Sequence, residues 1–121
     1  MTSKEDWSGW GPEGWSAIVA DLQLYVLSLE KQYGVTVGVN DIKEKFGGLR
    51  FYYGMSGGDD LDKADWMLDG AVHMAECESE RTCQGCGLPA VRRNDGYWIS
   101  TLCDVCDDKW KKRHEVRNGT Y

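Results

Sequence analysis

Two cysteine pairs constrain this chain more than any other feature: Cys83-Gln84-Gly85-Cys86 and, after a gap of 16 residues, Cys103-Asp104-Val105-Cys106. A two-residue spacing lets a tight turn aim both sulfurs at one ion, and Gly85 and Gly87 allow the backbone to bend beneath it. Between the pairs, Val91 to Arg93 and Tyr97 to Thr101 flank Asn94-Asp95-Gly96, a turn sequence suited to positive φ. A small hairpin there returns the second pair to the first. The spacing therefore predicts a zinc ribbon with one structural Zn²⁺ on Cys83, Cys86, Cys103 and Cys106. Four thiolates close the tetrahedron and leave no position for water, so the ion is expected to hold structure and perform no chemistry. The competing expectation is a set of buried or redox-active thiols. Cys77 is the odd one of five cysteines, and His73 and His114 are alternative ligands that a four-cysteine set does not need.

The remainder predicts an α+β fold: two helices with a small antiparallel β-hairpin, plus the C-terminal zinc ribbon. At 121 residues the chain suits one compact unit. We divide it into a helix, strand-pair and helix core over residues 1–80 and a ribbon with a short basic C-terminal helix over residues 81–121. Pro12 can open the first helix. Its stripe is Trp15, Ile18, Val19, Leu22, Tyr25, Val26, Leu29 and Tyr33, at spacings of three and four, and Gly34 caps its end. Val35, Val37 and Val39 alternate with polar or small residues as in a half-buried strand, and Leu49 to Tyr53 forms the return. The stretch Met55 to Asp60 reads as a loop, with Asp59 or Asp60 capping a second helix that runs to about Glu80. Its expected buried stripe is Leu61, Ala64, Met67, Leu68, Ala71, Met74 and Ala75. The tail, fraying at Asn118-Gly119, reads as a short basic helix.

Formal charge is −6, and residues 1–80 hold 15 acids against 6 bases while residues 81–121 hold 5 against 8. Nonspecific affinity for phosphate backbones should be poor. No run of about 18 apolar residues exists and the N-terminus has no apolar signal segment, so the expected location is cytoplasmic, with no membrane role. Trp7 and Trp10, in a polar lead segment, either pack across an interface, as candidate protein-binding anchors together with the acids Asp62, Asp65 and Asp69 of the second helix, or pin the N-terminus down. Against an ordinary solvated helix face, the acidic row Asp59, Asp60, Asp62, Asp65, Asp69, Glu76, Glu78 and Glu80 could mimic a phosphate backbone and occupy a basic groove. The alternative is a nucleic-acid-binding ribbon using Arg92, Arg93, Lys109, Lys111, Lys112 and Arg113, with Tyr97 and Trp98 nearby. Its bases are interleaved with Asp104, Asp107 and Asp108. No catalytic order of residues is present, and Glu44, Lys45 and Arg50 read as hairpin ion pairs, so the chain is expected not to be an enzyme.

The segments GWSAIVADL, IKEKFGGLRFYY, MAECESERTCQGCGLPA and YWISTLC, spanning about residues 14 to 106, resemble a group of small uncharacterised proteins of bacteria and their phages. The group shares an IKEKFGxLRFY-like segment followed by a Cys-x2-Cys run and a second pair that often ends in His, where Cys106 stands here. The resemblance implies the helix, strand-pair, helix and zinc-ribbon unit, and no activity. By analogy with small acidic phage proteins, it points to a zinc-stabilised, non-enzymatic inhibitor that binds a host nucleic-acid-binding or defence protein, an anti-CRISPR protein being one version.

Overall fold

The structure, a computed structural model, describes residues 1–7, 9–94 and 98–118. A 3-10 turn at Glu13–Trp15 leads into α1 (Ser16–Tyr33), followed by β1 (Val35–Lys45), β2 (Gly48–Gly57), α2 (Leu61–Ser79), β3 (Val91–Asn94), β4 (Ile99–Leu102) and α3 (Asp104–Asn118). The class is α+β, as expected, but the described residues form three α-helices and two separate two-stranded sheets, not two helices and a hairpin. The third helix is the basic tail, expected as a short appendage of the ribbon and here an element of 15 residues; Asp104 and Asp107 in its first turn favour its start. Residues 95–97, where the sequence predicts the hairpin turn, and the end of the tail from Gly119 lie outside the described residues. No described helix is long and apolar enough to cross a membrane.

The periodicity of α1 holds in three dimensions. Trp15, Ile18, Val19, Leu22, Val26 and Leu29 are buried, and Gly34 ends the helix at φ 70° with its N–H on the Glu30 carbonyl. Antiparallel strands β1 and β2 are joined by the two residues Phe46-Gly47, both at positive φ (54° and 79°), the twist a tight hairpin turn requires. Strand β2 runs through Met55 to Gly57, residues expected in a loop, because Val35 and Val37 pair with Gly57 and Met55. Val35, Val37, Val39, Ile42, Leu49 and Phe51 face one core beneath α1 and α2.

Helix α2 departs from its expected stripe. Asp60 caps it by accepting the Lys63 N–H at 3.2 Å. Ala64, Leu68, Val72 and Ala75 are buried, while Leu61 and Met74 are exposed. Trp7 takes the second of its expected roles and holds the N-terminal segment on the core. It is 0% exposed, packs tilted against Phe51 with ring centroids 5.5 Å apart and donates its indole N–H to the Thr2 carbonyl. The lead segment is drawn in because Met1 exchanges both backbone bonds with Val39 on the free edge of β1. Trp10 is partly buried against the same core.

Candidate metal centre

The first cysteine pair lies on a knuckle just after α2. Its turn closes with the Gly87 N–H on the Cys83 carbonyl at 3.0 Å, and the Cys83 N–H reaches the Leu88 carbonyl at 2.8 Å. The second pair straddles the start of α3. Cys103 precedes the helix, Cys106 sits in its first turn, and the Asp107 N–H makes the opening bond to the Cys103 carbonyl at 2.9 Å. A helix N-terminus favours negative charge, which suits thiolates.

The four Sγ atoms lie within 4.8 Å of one another, with Cys86 and Cys103 at 3.6 Å. Thiolates arranged tetrahedrally at about 2.3 Å from an ion, the distance typical of zinc, stand roughly 3.8 Å apart, so the donor set fits a metal of that size. The backbone is arranged to match: Gly85 N–H points at Cys83 Sγ and Cys106 N–H at Cys103 Sγ, each at 3.4 Å. A Cβ on Gly85 would stand 3.0 Å from Cys106 Sγ, so the knuckle passes too close to the sulfurs for most side chains. The exposed Cys77 stays apart, 3.6 Å from His73 on its own helix, and belongs to no described metal-binding group. The side chain of His114 lies outside the described residues.

Proton affinities follow from the crowding. Burial alone would raise the Cys83 thiol, but backbone groups of Cys103, Cys86 and Gly85 outweigh it and bring it to about 6. Burial pushes Cys106 up to about 12, reinforced by the neighbouring sulfurs. Cys86 also moves up: the backbone at Leu88 opposes the shift, but burial and the sulfurs of Cys103 and Cys83 prevail. A cluster that resists accumulating negative charge by itself is one that a divalent cation stabilises strongly.

The cluster is bonded to the helical core at two points. Gly14 N–H donates to the Gln84 carbonyl at 2.9 Å and the Trp15 indole to the Thr82 carbonyl at 2.9 Å. A Cβ on Gly14 would lie 1.9 Å from the Cys83 carbonyl oxygen, so only glycine permits this approach. On the other side, the buried Thr101 hydroxyl donates to the Gly47 carbonyl at 2.6 Å, tying β4 to the β1–β2 turn.

The remaining expected site residues are dispersed. Arg93 bonds Asp104 at 2.7 Å and Asp107 at 3.2 Å, while Lys111 and Lys112 pair with Asp107 and Asp108. Arg92, Lys109 and Arg113 are exposed, and Tyr97 lies outside the described residues. Glu44 accepts the Gly47 N–H and Arg50 donates to the Leu49 carbonyl, both local hairpin bonds. Asp62, Asp65 and Asp69 line a groove of about 660 Å³ between α2 and β2. There the Tyr53 hydroxyl donates to Asp65 at 2.8 Å, and burial together with that bond raises the phenol well above its usual range.

One surface was missed at the level of sequence. Trp66 is 77% exposed and Met74 72%, one on each side of Gly70, and with Tyr25 and Met67 they line a shallow apolar depression on the outer face of the helix pair. The signal was available: with Ala64 and Leu68 inward, Trp66 must point out. Compared with known protein families, with curated proteins and with solved structures, the chain matches none.

Proposed function

We propose that the chain is a zinc-stabilised, non-enzymatic protein-binding module whose contact surface is the outer face of α2. The observation that carries this reading is the outward tryptophan. Large aromatics dominate binding energy at protein interfaces, and a Trp66 left in water beside Met74 gives the fold almost nothing. Gly70 supports it, since glycine inside a helix costs about 1 kcal/mol relative to alanine. A Cβ there would meet nothing within 4 Å, so no internal contact demands the glycine. It leaves a dent between the two large side chains that an incoming apolar side chain can fill. Asp21, Asp69 and Glu78 border this face, so the partner is a protein presenting an apolar anchor ringed by basic groups. Zinc is the metal of choice for a tetrahedral four-thiolate site, and its closed coordination sphere supports a structural role.

The narrower version, inhibition of a host defence protein such as a CRISPR effector, rests on the resemblance alone. The nucleic-acid alternative has less to draw on, because three of its six bases are engaged with aspartates of α3. Affinity capture from bacterial lysate with the tagged chain, Trp66→Ala and Met74→Glu tests the proposal. A protein retained by the wild type and lost with both variants is expected. Identical capture by all three, or micromolar salt-sensitive retention of nucleic acid by gel shift, would contradict it.

A further inference from the structure

The outer edges of the large hairpin are bonded in part. On β1, the Val37 N–H reaches Glu30 at 2.9 Å and Val39 exchanges bonds with Met1. On β2, Leu49 N–H donates to the Ser79 hydroxyl at 2.8 Å and Phe51 N–H to Glu76 at 3.0 Å. The register then identifies which groups the β2 edge leaves open between Phe51 and its end. Val39 stands opposite Tyr53 and Val37 opposite Met55. Because Val37 and Val39 direct their backbone groups away from β2, both pairs are of the non-hydrogen-bonded kind, and Tyr53 and Met55 must direct theirs to the other edge. Among the described residues, nothing bonds those two N–H groups.

That open stretch of edge borders the 660 Å³ groove whose far wall is α2. Asp62, Asp65 and Asp69 occupy that wall at helical spacings of three and four, and no described cation pairs with any of them. We propose that the groove binds an extended, basic segment of a partner protein, which adds to β2 as a third strand and sets alternate Lys or Arg side chains against the aspartates. Strand addition supplies the backbone bonds that Tyr53 and Met55 lack. Alternate side chains of a strand lie about 6.8 Å apart. One helical turn separates Asp65 from Asp69 by about 6 Å, so successive cations meet successive acids. A second copy of this chain is a poor occupant, since its edge would bring the same acids into opposition. The groove shares Asp69 with the border of the Trp66 face and no other lining residue, so Trp66→Ala, expected to leave peptide affinity unchanged, tells the two surfaces apart.

The test uses the full zinc-loaded chain and a short blocked peptide of alternating Lys and Val, followed by amide NMR and hydrogen exchange. Binding is expected to slow exchange at Tyr53 and Met55 by about tenfold or more. A peptide of equal charge with a central proline, which cannot pair along a strand, should bind about tenfold more weakly, as should the Asp62→Asn, Asp69→Asn double variant. Both positions are exposed, so that variant keeps its fold. Equal affinity for the proline peptide would overturn the proposal by showing charge attraction without strand addition. Absence of binding would overturn it too, as would protection of Tyr53 and Met55 by self-association before peptide is added.

Discussion

Hairpin β1–β2 buries Val35, Val37, Val39, Ile42, Leu49 and Phe51 beneath two helices, whereas in β3–β4 only Ser100 and Thr101 are buried among the described residues. Strands of four residues in a two-stranded ribbon are not stable alone. The small hairpin is instead pinned at its base by the cysteine cluster and braced by Arg93, which bonds the Leu102 carbonyl, Asp104 and Asp107. One hairpin depends on removing apolar surface from water, and the other, on the proposed reading of the cysteine cluster, on a metal cross-link. Chemical conditions should therefore separate them.

The largest expected effect is at the cross-link. Structural zinc sites contribute on the order of 10 kcal/mol to the fold they hold. Cys86→Ser or Cys103→Ser should abolish stoichiometric metal and bring the amides of β3, β4 and the first knuckle to near-unprotected hydrogen exchange, with β1–β2 still protected. Acid should act in the same direction. Cys86 and Cys106 hold their protons at neutral pH in the absence of metal, so binding must displace them and affinity falls as pH falls. The fall should steepen below about 6, where Cys83 also takes up a proton, and a competitive chelator titration at several pH values reads it.

Core truncation sharpens the other side of the comparison. Leu68→Ala removes a fully buried side chain beneath β1–β2 and should cost about 3 kcal/mol in denaturant unfolding while metal stoichiometry is kept. Gly14→Ala probes the joint. Its new Cβ would collide with the Cys83 carbonyl, and a cost of about 2 kcal/mol with loosened exchange at Cys83 and Gln84 is expected. Smallest is Arg93→Ala. Its partner Asp104 is solvent-exposed and its buried partner Asp107 keeps Lys111 at 3.1 Å, so a loss of about 1 kcal/mol, confined to exchange in β3–β4, should be seen.

What could be read from the sequence divides along the same line. The cysteine pairs and the α1 stripe were legible because their information is local, carried by a spacing or a period. Helix α2 was only half legible. It has apolar residues on two faces, Ala64, Leu68, Val72 and Ala75 inward and Trp66, Met67 and Met74 outward or at the margin, and a mixed stripe drawn through both placed Met74 in the core. Trp7 was left between two roles, interface contact or anchor of the N-terminus, for a different reason. Pairing of Met1 with Val39 carries it onto Phe51, a contact no local pattern encodes. The Gly14 approach to the first knuckle was hidden in the same way.

Native mass spectrometry of the purified chain tests the central claim most directly, because it reports fold and ligand together. One zinc ion per folded chain is predicted, absent from the Cys86→Ser and Cys103→Ser variants. A compact, metal-free wild-type chain with the same charge-state distribution, or one carrying disulfides within the two pairs, would contradict it.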